Sequence, residues 1–244
     1  MLLSLKKAGY NFYTFEGWCT GKVTGKFVIL RHDIDKLPLN ALRIAIVEKE
    51  LGIFSTYYFR ISPQVFNPAI IQEISGMGHE VGYHYRDLVD VAGDSGKAIF
   101  SFMDNLSKLR QVAEIKTASM DGCPWSKFDN RDLWKTFNYR EYGIVGEPYF
   151  DFLNRPGVTY LTDTGRMWDG DKYNIRDRAI GTGAENARPD VHSTFDLIRW
   201  FRSNPPQPEI MITTHPQRWT NNPFCWLVEF VAQAMKNEIK RFFI

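Results

Sequence analysis

The segment FVILRHDIDKLP, residues 27–38, ends an apolar run with the charged sequence Arg-His-Asp-Ile-Asp at positions 31–35. Side chains in a strand alternate between its two faces, so the carboxylates of Asp33 and Asp35 should lie on one side of the backbone. Two carboxylates held close together repel each other unless a cation lies beside them. The spacing predicts that one aspartate binds a divalent metal while the other stays free as a base, with a neutral histidine as second ligand. The alternative is a solvated turn in which Asp35 caps the helix that begins near Pro38.

The elements that must position these residues alternate along the chain. Runs rich in β-forming residues predict strands at 26–31, 54–61, 79–84, 114–120, 157–163 and 209–215. The segments between them predict helices at 39–51, 68–78, 94–113, 129–137 and 193–201, with a last helix after Asn222. This alternation is typical of parallel βαβ units, and apolar strands favour a sheet covered on both faces or closed into a barrel. We therefore expect one α/β domain over residues 1–244, with a functional or disordered loop at 164–192.

Further polar residues stand where the other predicted strands end. His84 and His215 are the last residues of their strands, and Asp87, Asp121 and Asp163 lie at or just beyond strand ends. The carboxyl ends of strands carry the functional site in parallel α/β folds. We expect these side chains to line one mouth together with Asp33 and Asp35.

Composition narrows the class of protein further. The chain has 244 residues, 44% of them hydrophobic, which is enough for a sizeable core. A net charge of +2 gives no reason to expect a nucleic-acid partner, and no apolar stretch reaches the roughly 18 residues of a membrane span. The N-terminal segment lacks the pattern of a signal peptide, and the three cysteines form no CxxC pair. These features predict a reduced, cytoplasmic protein, and they do not indicate an oligomeric state.

Three segments resemble a known family, the polysaccharide deacetylases of carbohydrate esterase family four: ILRHDIDKLP, GHEVGYHYRDL and IMITTHPQRW. The resemblance covers about residues 24–220 and implies an irregular (β/α) barrel of about seven strands. It implies that Asp33 is the catalytic base, Asp35 and His84 bind a divalent metal, and His215 protonates the leaving amine. The metal would be zinc, with nickel or cobalt as alternatives. The substrate would be an N-acetylated saccharide or sugar precursor, in surface-polysaccharide biosynthesis.

One position departs from the family pattern. The family's second metal histidine lies four residues after the first, and that position is Leu88 here. Asp121 and Asp87 are equally good candidates for the missing ligand, with Asp163 behind them. A carboxylate in that place would favour a harder metal than an imidazole does. The arginine that steadies the base in the family has no direct match, and Arg31 or Arg166 could replace it.

Aromatic and cationic residues near the strand ends are candidates for substrate contacts. We expect Trp168 and Trp219, and with less support Trp125, to stack on sugar rings. Arg166 and Arg218 could bind an anionic part of the substrate, although ion pairing at the surface is an equally good interpretation. Leu88 supports a different function, a saccharide-binding barrel without catalysis. A cyclic-amide hydrolase is the third hypothesis.

Overall fold

The computed structural model of the chain describes residues 1–168, 191–203 and 207–241. Most of the predicted loop 164–192, residues 169–190, lies outside the described residues. The helices are α1 (Leu2–Lys7), α2 (Phe15–Cys19), α3 (Pro38–Glu50), α4 (Pro68–Gly76), α5 (Asp87–Asp90), α6 (Ser95–Arg110), α7 (Thr194–Arg202) and α8 (Pro223–Arg241). The strands are β1 (Asn11–Tyr13), β2 (Phe27–Ile34), β3 (Thr56–Phe59), β4 (Glu80–Tyr85), β5 (Ile115–Met120), β6 (Val158–Thr162) and β7 (Glu209–Thr214). None of the described helices combines the length and apolar character that a membrane crossing requires.

The seven strands form one parallel sheet in the order β5-β4-β3-β2-β7-β6, and β1 pairs with the beginning of β2. The parallel α/β fold predicted from the sequence is therefore confirmed. The described strand pairings leave β5 and β6 as the two ends of the order, so they do not close the sheet. Residues 145 and 146 add hydrogen bonds to β5 beyond the named strands, between Val145 N and Lys116 O (2.7 Å) and between Ala118 N and Gly146 O (3.2 Å).

Several elements differ from the sequence prediction, which does not include the short helices α1, α2 and α5. The first predicted strand ends at 31, but β2 continues to Ile34 because residues 31–34 pair with β3. Asp33 therefore lies within a strand rather than after it. The short strand β1 was not predicted, since three residues carry almost no periodicity. The predicted helix at 129–137 is a 3-10 helix, Asn130–Lys135, which the Asp129 side chain caps at Arg131 N.

The sheet has an inner face and a helix-covered outer face, and β2 shows how the sequence assigns them. Phe27 and Ile29 point inward and pack with Tyr58 of β3 and Met211 of β7. The alternate residue Ile34 points outward into the core beneath the outer helices. By the same alternation Arg31 and Asp33 continue the inner face, and the Arg31 guanidinium lies 5.6 Å from the centre of the Tyr58 ring.

A glycine in the second motif is required by this inner packing. Gly82 lies in the middle of β4, where a Cβ atom would collide with the Tyr58 ring. The absence of a side chain lets Tyr58 reach across β4 and donate a hydrogen bond to Thr117 Oγ1 on β5 (3.2 Å). The inner layer beneath the strand ends is thus tightly filled, and His84, two residues further on, projects above it.

Candidate metal centre and active site

The inner-face residues at the carboxyl ends of the strands converge on one cavity of about 510 Å³. Each continues the two-residue alternation of its own strand, so the sheet brings together side chains that are far apart in sequence. The ionisable groups that line it include Asp33, Asp35, Arg60, His84, Asp121 and His215. Of the residues that the sequence predicts to share a mouth, the cavity lining includes Asp33, Asp35, His84, Asp121 and His215 and does not include Asp87 or Asp163.

Three of these residues form a cluster that could hold a metal ion. Asp35, His84 and Asp121 each offer one ligand atom, and these atoms lie within 4.8 Å of one another. His84 Nδ1 lies 3.0 Å from the Ser119 carbonyl oxygen, to which it donates its proton. This hydrogen bond leaves Nε2 as the free ring nitrogen, 3.7 Å from Asp35 Oδ1. Two carboxylates and one imidazole are a suitable donor set for a divalent cation, and the oxygen-rich balance favours a harder metal than a site with two histidines would.

The neighbouring charges stabilise the ionised forms of both Asp35 and His84. Burial alone would raise the pKa of Asp35, but the nearby His84 imidazole and the Arg60 guanidinium hold it well below its usual range. Burial alone would lower the pKa of His84, but the carboxylates of Asp33, Asp35 and Asp121 raise it. These charges favour the protonated imidazole more than in an isolated histidine, and a metal that binds Nε2 has to displace any proton held there.

The loop after β5 fixes the orientation of Asp121. Cys123 N donates to Asp121 Oδ1 (3.0 Å), and Asn130 Nδ2 donates to the Asp121 carbonyl (2.7 Å). Cys123 adopts a left-handed backbone conformation with φ of 34°, which is uncommon for a residue other than glycine. The loop therefore contains a turn with a strained backbone conformation, and this turn directs the Asp121 carboxylate into the cavity.

Arg60 is a member of the site that the sequence analysis did not identify. Its Nη2 lies 2.9 Å from Asp35 Oδ1 and forms a second ion pair with Asp121 Oδ2. The guanidinium thus neutralises two of the three candidate ligands. The same alternation identifies it, since Arg60 is two residues after the inward-facing Tyr58 and directly follows β3.

Asp33 is held by an arginine of its own strand. Arg31 Nε donates to Asp33 Oδ1 (2.8 Å) and Nη2 donates to Oδ2 (2.7 Å), a bidentate pair in which both side chains are nearly inaccessible to solvent. Burial alone would raise the pKa of Asp33, but Arg31, together with the charges of His84 and His215, lowers it. Of the two arginines that the sequence offered for steadying this carboxylate, the structure brings Arg31 to it.

His215 is oriented by Asp163. His215 Nδ1 lies 2.6 Å from Asp163 Oδ1, and the backbone N of His215 donates to Oδ2 (3.1 Å). Trp219 Nε1 and Arg218 Nη1 also donate to this carboxylate, at 2.9 and 2.6 Å. The contact with a carboxylate assigns a proton to Nδ1, so Nε2 is the ring nitrogen that remains for the cavity. Asp163 therefore positions a histidine and does not join the three ligand atoms near Asp35.

Asp87 also lies apart from the ligand cluster. Its carboxylate accepts hydrogen bonds from Tyr83 Oη (2.7 Å), Ser101 Oγ (2.6 Å) and Asn105 Nδ2 (2.9 Å). The helix α5 begins at Asp87, directly after β4. The Asp87 side chain therefore packs toward α6 and ties α5 to that helix. Burial raises the pKa of Asp87, which is the opposite of the shift at Asp35. Of the two equal sequence candidates, the structure places Asp121 with Asp35 and His84.

Leu88 is 5% exposed and packs in the core beneath the outer helices. We expect Leu88→His to destabilise the fold by about 2–4 kcal/mol, because it removes apolar burial and inserts a polar ring without a partner. It should not tighten metal binding, because the neighbouring Val89, and not Leu88, lines the cavity. Urea unfolding and calorimetric metal titration measure the two effects, with Leu88→Met as the volume-matched control. A Leu88→His variant of wild-type stability that bound metal more tightly would contradict this prediction.

The structure places most of the candidate substrate-binding side chains elsewhere than the sequence predicts. Trp168 is 7% exposed and donates through Nε1 to Thr194 Oγ1 (3.0 Å), so it is a core residue. Trp219 is engaged with Asp163, and neither ring lines the cavity. Arg166 pairs with Glu229 and lies 4.8 Å from the Trp226 ring centre, which agrees with the ion-pair interpretation. Trp125 is 56% exposed and does line the cavity.

Comparison with known proteins gives matches in structure alone. No family model matches the chain, and no curated protein matches its sequence. A CE4 esterase from Streptococcus mutans is 14% identical with a TM-score of 0.46, over 98% of this chain and 90% of that one. A family 4 carbohydrate esterase from Bacillus anthracis is 15% identical with a TM-score of 0.41, over 96% and 84%.

A mutant of a CE4 family pseudoenzyme from Bacillus anthracis, described as having restored enzymatic activity, is also similar. It is 12% identical with a TM-score of 0.45, over 88% of this chain, which spans only 63% of that chain. All three are described as members of the family that the motifs resemble. At such TM-scores these likenesses carry no argument about this chain, and the inference of function rests on the geometry of its own site.

Proposed function

We propose that this protein is a metal-dependent amidase that removes an N-acetyl group from an amino sugar or a polysaccharide precursor. The observation that carries the proposal is the cluster of Asp35, His84 and Asp121, which shares one cavity with Asp33 and His215. A metal site, a buried carboxylate and an oriented imidazole are the groups that amide hydrolysis needs. The finer assignment to surface-polysaccharide biosynthesis rests on the motif resemblance.

Each residue has a defined task in this mechanism. Asp35, His84 and Asp121 would hold a divalent metal, which when bound supplies a Lewis acid that polarises the amide carbonyl. Asp33 takes a proton from the water that attacks the carbonyl carbon, while Arg31 holds its carboxylate in place. His215 donates a proton from Nε2 to the departing nitrogen, and Asp163 fixes the ring through Nδ1. The C–N bond breaks, and the products are acetate and a free amino sugar.

The experiment that tests this proposal combines metal analysis with an acetate assay. The purified protein is stripped of metal, reloaded with zinc, nickel or cobalt, and incubated with N-acetylated sugars and sugar precursors. Metal-dependent release of acetate supports the proposal. A protein that binds metal and hydrolyses a small cyclic amide but no sugar would instead support the cyclic-amide hydrolase.

A second function, saccharide binding without catalysis, is favoured by one observation. The Arg60 guanidinium already pairs with both carboxylates of the ligand cluster, so the site possesses an internal cation. Tight saccharide binding by the metal-free protein, with no acetate released at any metal concentration, would support this second function and overturn the first.

We expect Arg60→Gln to bind a divalent metal about tenfold more tightly than the wild-type protein, because a fixed positive charge no longer competes for Asp35 and Asp121. Isothermal titration with Zn²⁺ or Co²⁺ measures the change. Arg86→Gln is the matched control, since Arg86 Nη1 is 3.9 Å from Asp121 Oδ2 and pairs mainly with Asp90. Equal or weaker metal binding by Arg60→Gln would show that Arg60 does not compete with the metal.

A further inference from the structure

Among the described residues that line the cavity, positive charges outnumber negative ones. These lining residues include six arginines and lysines and three aspartates, Asp33, Asp35 and Asp121. The four arginines all contact carboxylates: Arg31 with Asp33, Arg60 with Asp35 and Asp121, Arg86 with Asp90, and Arg218 with Asp163. Because the Arg60 guanidinium is shared between two carboxylates, the arginines leave no excess of positive charge, and the excess among these residues comes from the two lysines, Lys36 and Lys236.

These two lysines come from different elements and meet at the same cavity. Lys36 directly follows Asp35 in the short connection to α3, and Lys236 lies on α8. Among the described residues, neither ammonium group has a hydrogen bond or an ion pair. Burial and the charge of Lys36 lower the pKa of Lys236, while the carboxylates of Glu229 and Asp35 act in the opposite direction. Two ammonium groups at one cavity, neither of them in an ion pair among the described residues, favour the binding of an anion.

We propose that Lys36 and Lys236 form an anion-binding subsite at the active-site cavity, which takes a carboxylate or phosphate group carried by the acylated sugar. This inference rests on the proposed function, because it places the substrate's reacting amide in the same cavity. A lysine ammonium is a flexible point charge, and a pair of them suits a tetrahedral phosphate as well as a planar carboxylate. The metal-binding residues and the subsite are adjacent through the peptide bond between Asp35 and Lys36, so one substrate can occupy both.

The test compares three N-acetylated sugars that differ in charge: a neutral one, one with a carboxylate substituent and one with a phosphate substituent. We expect the wild-type protein to prefer one of the anionic sugars by about tenfold in kcat/KM, mainly through KM. The double variant Lys36→Gln/Lys236→Gln should lose that preference. The matched control is Lys7→Gln on α1, which does not line the cavity and should keep the preference.

The outcomes separate the two proposals. Equal kcat/KM for neutral and anionic sugars, or a preference that survives in the double variant, overturns the subsite while leaving the amidase proposal intact. If no sugar is hydrolysed, the amidase proposal fails and calorimetric binding of the same three sugars still decides about the subsite. Tighter binding of an anionic sugar that the double variant loses supports it, and equal binding of all three overturns it. The better of the two anionic sugars identifies the anion.

Discussion

The Asp33→Asn variant is expected to bind a divalent metal with wild-type affinity and to lose amide hydrolysis by a factor of roughly 10²–10⁴, the usual contribution of a positioned general base. Asp33 lies in the cavity, but its two carboxylate oxygens are occupied by Arg31 rather than by the ligand cluster. The amide of asparagine keeps the shape of the side chain and cannot accept a proton from water at neutral pH. The measurements are acetate release under saturating metal and calorimetric metal binding.

Stability must be measured in the same variant, because asparagine can accept only one of the two hydrogen bonds that Arg31 donates. A buried charged donor without its partner costs about 1–3 kcal/mol, so a modest loss in urea unfolding is expected. A folded Asp33→Asn protein with wild-type activity would show that another group is the base. Loss of the metal from this variant would show instead that Asp33 belongs to the ligand set.

The sequence is informative about the residues of the strands because β-structure has a simple period. Alternation predicts that Asp33 and Asp35 share a face, and the parallel arrangement predicts that His84 and His215 reach the same end of the sheet. The structure brings all four to one cavity. The physical reason is that a strand's direction and facing are local properties, which the sequence of that strand largely determines.

The third ligand could not be chosen from the sequence, because both candidates follow strand ends. The choice depends on the path that the backbone takes after each strand. After β4 the chain turns at once into α5, and Asp87 is drawn into hydrogen bonds with α6. After β5 the chain makes a left-handed turn at Cys123, and Asp121 stays in the cavity. The path of a short connection depends on the packing of both its neighbours, which is not a local property.

The tryptophans illustrate the same limit. Trp168 and Trp219 follow strands at the correct end of the sheet, yet one is buried against Thr194 and the other is held by Asp163. A large aromatic ring near a strand end can pack in the core as readily as it can contact a ligand. The sequence pattern is the same in both cases. Arg60 is the converse case: alternation places it on the inner face, but its sequence does not indicate that it pairs with two carboxylates that follow other strands.

The Asp35→Ala variant is expected to lose metal binding by roughly 100-fold or more, since removal of a direct ligand should cost at least as much as removal of a residue that only supports one. Asp121→Ala should show a loss of the same order, because Asp121 contributes one of the three ligand atoms that the described residues bring together. Isothermal titration with Zn²⁺ and Co²⁺, after removal of bound metal by a chelator, measures both. Activity should fall in parallel at limiting metal and recover in part when the metal is raised.

Asp87→Asn is the matched control, because it changes the other acidic residue that the sequence offered as a ligand. The three hydrogen bonds that the Asp87 carboxylate accepts tie α5 to β4 and α6. The variant should therefore lose about 1–2 kcal/mol of stability and retain wild-type metal affinity. The opposite result, with metal lost in Asp87→Asn and retained in Asp121→Ala, would mean that the short helix α5 rearranges when the metal binds. In that case the position adjacent to Leu88 would supply the third ligand, and the family pattern would be preserved by a shift of one residue.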